Sequence, residues 1–290
     1  MNPFHPIPRT DMPRPPHALP LAGSAHVWWS AAGVDAATRA RVSAPRAILP
    51  ALPVDRPLVM GIVNVTPDSF SDGGTAQTLE AALARAQAMV AAGADILDIG
   101  GESTRPGAAE VPVADEIART APVIAAIRAA GIVTPVSIDT RKAGVAAAAL
   151  RAGADIVNDV SALSWDADLA RVTAEAGVPI CLMHAQGTPQ TMQADPRYGD
   201  VLAEVYEYLA RRIDHAVAQG IAPGRIITDP GIGFGKTLPH NLTLLRGLAR
   251  FHTLGAPILL GASRKRFIGT ISGVEAAAAR MPGSVAVALW

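Results

Sequence analysis

Two stretches of the chain, AAGADILDIG (residues 91 to 100) and RAGADIVNDV (residues 151 to 160), align without a gap, and EAGVPICLMH (residues 175 to 184) follows the same plan. In each, a helical run ends at a glycine and an apolar strand begins two or three residues later, as a left-handed glycine cap allows. The runs LVMGIVNV, PVSIDT, RIITDPG and PILLGAS bring the strand-like segments to seven, with alanine-rich helical stretches between them. Strands alternating with helices predict parallel βα units. The runs are continuously apolar, as strands buried on both faces should be. A doubly wound sheet would place one glycine fingerprint after its first strand, whereas here polar residues follow every strand. The expected fold is therefore α/β, a TIM-type (β/α)8 barrel.

Those polar residues are Asn64, Asp98, Asp139, Asn158 with Asp159, His184, Asp229, and Ser263 with Lys265. In a barrel all of them converge on the mouth where barrel enzymes keep their chemistry. Taken singly, an Asp or Asn after a strand is often a helix N-cap, with Asp159 and Asp166 as plausible examples. Capping does not explain why every strand ends this way, so a shared site is the stronger reading.

Composition limits the alternatives. Half of the 290 residues are apolar and the formal net charge is zero, so a sizeable core is available and no nucleic-acid footprint is visible. The single cysteine, Cys181, excludes a disulfide framework and a cysteine-rich metal site, and within VPICLM it reads as a small core residue. No apolar run has the length of a membrane helix, and the proline-rich first twenty residues lack the apolar centre of a secretory signal. A cytoplasmic protein is expected. Residues 1–50 form a Pro/Ala-rich extension carrying Trp28–Trp29, which should pack on the main domain or on a partner. Residues 51–290 form the barrel domain. Arginine supplies nearly all positive charge, and the only lysines, Lys142, Lys236 and Lys265, each follow a strand. Either these places need a compact ammonium or the pattern is chance.

The first strand runs into NVTPDSFSDGG (residues 64 to 74) and the second into DIGGESTRPGA (residues 98 to 108). The first loop mixes hydroxyls, carboxylates and one phenylalanine, a composition suited to a lid over an anion or hydrated metal. In the second, Gly100-Gly101 permits close backbone approach and Arg105 suits a carboxylate or phosphate. Ordinary turns at Pro67-Asp68 and Pro106-Gly107 are the plainer reading of each alone. DPGIGFGKT (residues 229 to 237) is not a P-loop, because Pro230 stands where the first glycine is required, and its glycines lack dinucleotide spacing.

Together these two loops, with SIDT, VNDV, LMH, DPGIGFGK and GASRKRFIG in order, resemble the signature segments of the dihydropteroate synthase family over roughly residues 57 to 290. The resemblance implies a transferase that joins a dihydropterin pyrophosphate to para-aminobenzoate, with Mg²⁺ as cofactor and sulfonamides as competitors. It implies pterin contacts at Asp139, Asn158, Met183, Asp229, Phe234 and Lys265, with Asp98 in the same pocket. Asn64 matches the metal and pyrophosphate contact. Phe70, Thr104, Arg105, Pro106 and Ser263 match the region that receives para-aminobenzoate. The carboxylate matching the cation-stabilising one is Asp72, with Asp68 its alternative, and Lys265 is counted with them. His184 is given a supporting or structural role.

The family continues into an eighth strand bearing an Arg-x-His segment, a final helix and a homodimer contact. The chain stops before these, so the barrel is expected to be incomplete, the dimer doubtful and this form inactive or weak alone. Two rivals stand beside the synthase. A pterin-dependent methyltransferase uses a related barrel, and binding of para-aminobenzoate in the presence of pyrophosphate would separate the two. A non-catalytic pterin-binding protein would bind without turnover.

Overall fold

Helix and strand alternate along the chain after an N-terminal layer, in a computed structural model that describes residues 4–65, 75–103, 107–188 and 190–289. The N-terminal layer holds β1 (Ala18–Pro20), β2 (Trp28–Ser30) and α1 (Ala36–Ser43). The repeating part runs β3 (Met60–Asn64), α2 (Thr75–Ala91), β4 (Ile96–Gly100), α3 (Val113–Ala129), β5 (Val136–Asp139) and α4 (Ala143–Ala152). It continues with β6 (Ile156–Asp159), α5 (Leu169–Ala176), β7 (Ile180–Met183), α6 (Val201–Ala218), β8 (Ile226–Asp229) and α7 (Leu238–Arg246). Helices α8 (Arg266–Ser272) and α9 (Met281–Leu289) follow. No described helix is long and apolar enough to cross a membrane.

Strands β3 to β8 form one parallel six-stranded sheet in strictly sequential order, without the reversal of a doubly wound sheet. Of the expected (β/α)8-type barrel, incomplete before its eighth strand, the structure shows this six-stranded parallel sheet: β3 and β8 share no ladder among the described residues. The seventh run, PILLGAS, makes a single parallel bridge, Ile258 to Thr228. Pro257 has no amide hydrogen to lend to a ladder, and Gly261 interrupts the run soon after. Two bonds remain, from Thr228 N to Pro257 O and from Leu259 N to Thr228 O, both 2.9 Å.

Side chains alternate between the two faces of each strand. One face, with Val63, Leu97, Ile99, Ile138, Val157 and Leu182, is buried under helices through Ala82, Ala86, Ile124, Ile127 and Val145. The other face is apolar at its amino end, where Ile96, Ile156, Cys181 and Ile227 meet Leu52, Ile48 and Leu49 from the incoming chain. Its carboxyl end carries Asp98, Asp139, Asn158 and Asp229. Cys181 is thus a core residue, and burial pushes its thiol well up. The N-terminal tryptophans pack within their own layer rather than on the sheet. Trp29 is fully buried with Leu21, Ala31 and Val42, and Trp28 Nε1 donates to Asp11 O at 2.9 Å. The layer meets the rest of the chain through Arg46, whose Nη2 donates to His252 O at 3.3 Å.

The repeated Gly-Ala-Asp has one structural meaning. Asp95 takes the amide of Val59 at 2.9 Å and a two-pronged Arg56 at 2.7 and 2.8 Å. Asp155 takes the amide of Val136 at 2.8 Å and Arg128 Nη2 at 2.5 Å. Each carboxylate therefore staples the start of its strand to the strand before it. The helix before each ends at a glycine with positive φ, +96° at Gly93 and +110° at Gly153. The third copy has Pro179 in place of the aspartate and lacks the staple. Arg128 also reaches the carbonyls of Gly153, Ile132 and Thr134 at 3.0, 2.8 and 2.8 Å. A lysine cannot present donors in that planar fork, so Arg128→Lys should lower unfolding stability by ~1–3 kcal/mol. Urea denaturation checks this, and an unchanged free energy of unfolding would refute the staple.

Candidate functional site

The sheet register sets the frame of the site. Asn64 lies opposite Gly100, Gly100 opposite Asp139, and Asp139 opposite Asn158, a single row across four strands. A Cβ on Gly100 would stand 3.4 Å from both Asn64 Oδ1 and Asp139 Oδ2, so the glycine lets these two oxygens converge above it. Asp98 sits one layer deeper on the same face, where Asn158 Nδ2 donates to its Oδ2 at 3.2 Å. On the far side Met183 lies opposite Asp229. Asp229 Oδ1 accepts from Gly231 N at 2.6 Å. Lys265 Nζ lies 4.0 Å from the centre of the Phe234 ring, within cation–π range. Ser263 is on the same loop as Lys265 and exposed. Asp68, Phe70, Asp72, Thr104, Arg105 and Pro106 lie outside the described residues.

Burial dominates the electrostatics. It pushes Asp98 up to about 6 and Asp229 up to about 6, the latter against the Gly231 amide, Lys265 and Lys236. Asp139 is pushed well above the carboxylate range by burial, then by Asp98, Glu116, Asp159 and Glu102. Burial lowers Lys265, opposed by Asp229 and Asp139. Desolvated carboxylates of this kind mark sites that take hydrogen-bond donors from a ligand. A cavity of about 100 Å³ opens between Met183, Phe234, Trp165 and Tyr208.

Arg141 and Lys142 do not neutralise these carboxylates. Arg141 Nη2 pairs with Glu102 Oε1 at 2.8 Å, and its guanidinium lies 3.6 Å from the centre of the Trp165 ring. Lys142 Nζ pairs with Glu102, with Glu116 Oε2 at 2.7 Å and with Val111 O at 2.6 Å. The second loop thus brings a buried ion cluster that sequence reasoning missed. Glu102 lay in plain view within GGESTRPG, whereas Glu116 is one of many helix carboxylates and carried no signal.

The capping readings are also corrected. Asp159 does not cap a helix; its carboxylate takes the amides of Ser161 and Leu163 at 2.7 and 2.5 Å and shapes the turn after β6. Asp166 caps a helix other than the one it precedes, accepting from Ala143 N of α4 at 2.8 Å. His184, at the end of β7, is buried, and its Nδ1 is 2.9 Å from Lys236 Nζ. Burial and then Lys236 lower His184 to about 3, so it is neutral near pH 7. Burial lowers Lys236 to about 7, with Asp229 opposing.

Asp98 makes the cost of this arrangement measurable. Its folded value of about 6 lies above that of an unfolded chain. Below about pH 4 both states are protonated and the charge has no effect, whereas above about 6 the folded state must hold a buried anion. Asp98→Asn should therefore be more stable than the parent above pH 6, by on the order of 3 kcal/mol at most. The difference should fade as pH falls through 6 toward 4. Thermal melts across that range test the sign.

Residues 60–290 match the family described as pterin binding enzyme. The chain is 50% identical over 239 residues to the dihydropteroate synthase of Neisseria meningitidis serogroup C, covering 81% of this chain and 84% of that protein. The structure superimposes on Xanthomonas albilineans dihydropteroate synthase with 4-aminobenzoic acid, at a TM-score of 0.76 and 50% identity over 81% of this chain and 83% of that one. The same enzyme in complex with 7,8-dihydropteroate gives a TM-score of 0.74 and 47% identity over 82% and 84%. On these matches, and on a sheet whose carboxyl ends gather three buried carboxylates, an amide and an ammonium, the chain belongs to the family of pterin-binding enzymes.

Proposed function

We infer that the chain is a transferase that condenses 6-hydroxymethyl-7,8-dihydropterin pyrophosphate with para-aminobenzoate to give 7,8-dihydropteroate and pyrophosphate. The observation that carries this is the set of Asp98, Asp139, Asn158, Asp229 and Lys265 on one side of the parallel sheet, in a chain half identical to dihydropteroate synthases. A pterin is flat, rich in N–H donors and bears one exocyclic oxygen. Carboxylates raised by burial accept such donors in place of water, and the ligand's N–H groups in turn favour their ionised form. Lys265 supplies the cation for the oxygen, and the Phe234 ring beside it shields one face of the heterocycle.

In the reaction the aryl amine forms a C–N bond to the pterin methylene, the C–O bond to pyrophosphate breaks, and the amine loses a proton. Positive charge develops on the methylene as the leaving group departs, and preorganised carboxylates stabilise it. Asp72, or alternatively Asp68, is assigned that role, with Lys265 at the pterin end. Phe70, Thr104, Arg105, Pro106 and Ser263 are assigned to para-aminobenzoate.

The oxygens available fit Mg²⁺. Asn64 Oδ1 and Asp139 Oδ2 face each other over Gly100, and Mg²⁺ is commonly held by one or two protein oxygens together with substrate phosphates and water. When bound, the ion would neutralise the departing pyrophosphate. Asn64 is assigned to hold it.

The same reading carries three further proposals. The sheet, with its sequential order and bridged seventh run, belongs to a (β/α)8 barrel. Residues 1–50 are an extension to a barrel domain spanning 51–290. The protein works in the cytoplasm on small-molecule substrates. Asp229→Asn keeps shape but removes a buried charged acceptor, so affinity for the pterin pyrophosphate should fall on the order of 10- to 100-fold with the fold intact. Titration calorimetry with a parallel circular-dichroism spectrum measures both, and unchanged affinity would sink the assignment.

A further inference from the structure

The proposed chemistry does not use Lys236, yet it is one of the most enclosed charges in the molecule, 3% exposed. Its Nζ donates to Phe234 O at 3.0 Å and to His184 O at 3.3 Å, and stands 2.9 Å from His184 Nδ1. When protonated, Lys236 has donors only, so His184 Nδ1 then accepts and the ring proton sits on Nε2. The lysine thus ties the end of β7 to the loop that follows β8.

That loop, residues 230 to 236, is pressed against β7. A Cβ on Gly231 would fall 1.8 Å from His184 O and 3.4 Å from Lys236 Nζ. Gly231 carries positive φ, +68°, and its amide is the one that Asp229 holds. Among the described residues three neutral side chains also hold the loop, and Lys265 lies over the Phe234 ring. Asn241 Oδ1 accepts from Gly233 N at 2.7 Å, Gln193 Nε2 donates to Gly233 O at 2.5 Å, and Tyr198 OH donates to Gly235 O at 2.9 Å. Lys236 is the loop's own charge, and it acts on the two groups that the pterin reading uses here: the Asp229 carboxylate through Gly231, and the Phe234 ring through its own carbonyl.

We propose that Lys236, seated on His184, is a positioning residue that sets the Asp229 carboxylate and the Phe234 ring at the spacing of a flat heterocycle. The proposal deepens the pterin reading and rests on it. Lys236 touches no substrate. Its ammonium holds the loop at the depth where Asp229 reaches one edge of the ring and Phe234 covers its face. Without it, Phe234 O and His184 Nδ1 lose a buried donor, and the loop relaxes on its remaining ties.

Binding of 6-hydroxymethylpterin, a probe without pyrophosphate that reports on the heterocycle alone, is followed by fluorescence titration. Thermal melts run alongside. Lys236→Met should weaken binding ~10- to 100-fold, the scale of a small misplacement of binding groups. His184→Asn keeps an acceptor near the Nδ1 position and should bind within a few-fold of the parent, whereas His184→Leu removes it and should lose affinity as Lys236→Met does. A residue that only stabilised the fold would move the melting temperature and leave this Asn-versus-Leu contrast in affinity absent. Equal affinities for the two His184 variants overturn the proposal, and they decide the matter if Lys236→Met does not fold. Failure of the parent protein itself to bind the pterin would instead overturn the reading on which the proposal rests.

Discussion

The row Asn64, Gly100, Asp139 and Asn158 is the constraint on which the site depends. Parallel register lines these four residues up across four strands, and a one-residue slip of any strand would turn its member to the helix-covered face. The slip is prevented lower down. Asp95 and Asp155 fix the strand starts through the amides of Val59 and Val136. Beneath the row, Ile96, Ile156, Cys181 and Ile227 close with Leu52 into an apolar floor. Stability is concentrated at the amino ends of the strands, which leaves the carboxyl ends free to carry groups that stability alone would not select.

Charge is divided accordingly. Glu102, Glu116, Arg141 and Lys142 neutralise one another within a buried cluster. Among the described residues Asp98, Asp139 and Asp229 form no ion pair, and burial pushes all three up. The first arrangement holds the second loop against α3 and α4. The second keeps its hydrogen-bonding capacity for something that arrives. Two carboxylate sets a few residues apart in sequence, Asp98 and Glu102, therefore do opposite work.

Much of this was legible in the sequence. Glycine-closed helices and continuously apolar runs identified the strands, and the polar residue after each run pointed to the carboxyl ends as the candidate site, because both are local signals. The extent of pairing in the seventh run was not legible. PILLGAS has the composition of a strand, but Pro257 and Gly261 restrict it to one bridge. Likewise, an aspartate after a strand reads as a cap for the next helix, yet Asp166 caps α4 instead. The partners of a charge lie across space: nothing near Lys236 in sequence announces His184, whereas the scarcity of lysine did point to the position. The tryptophan pair was read outward, and Trp29 turns inward because α1 folds back to supply Val42 and Ser43.

The sequential strand order has a consequence for how the protein is made. Every strand from β4 to β8 pairs with the strand synthesised just before it, and the staples at Asp95 and Asp155 likewise reach only backward along the chain. A nascent chain leaving the ribosome can therefore add each βα unit to a partner already complete, and contacts of short sequence separation carry little loop-closure cost. The row assembles in the same order, Asn64 first and Asn158 last, and Asp229 joins the same face only when the final paired strand docks.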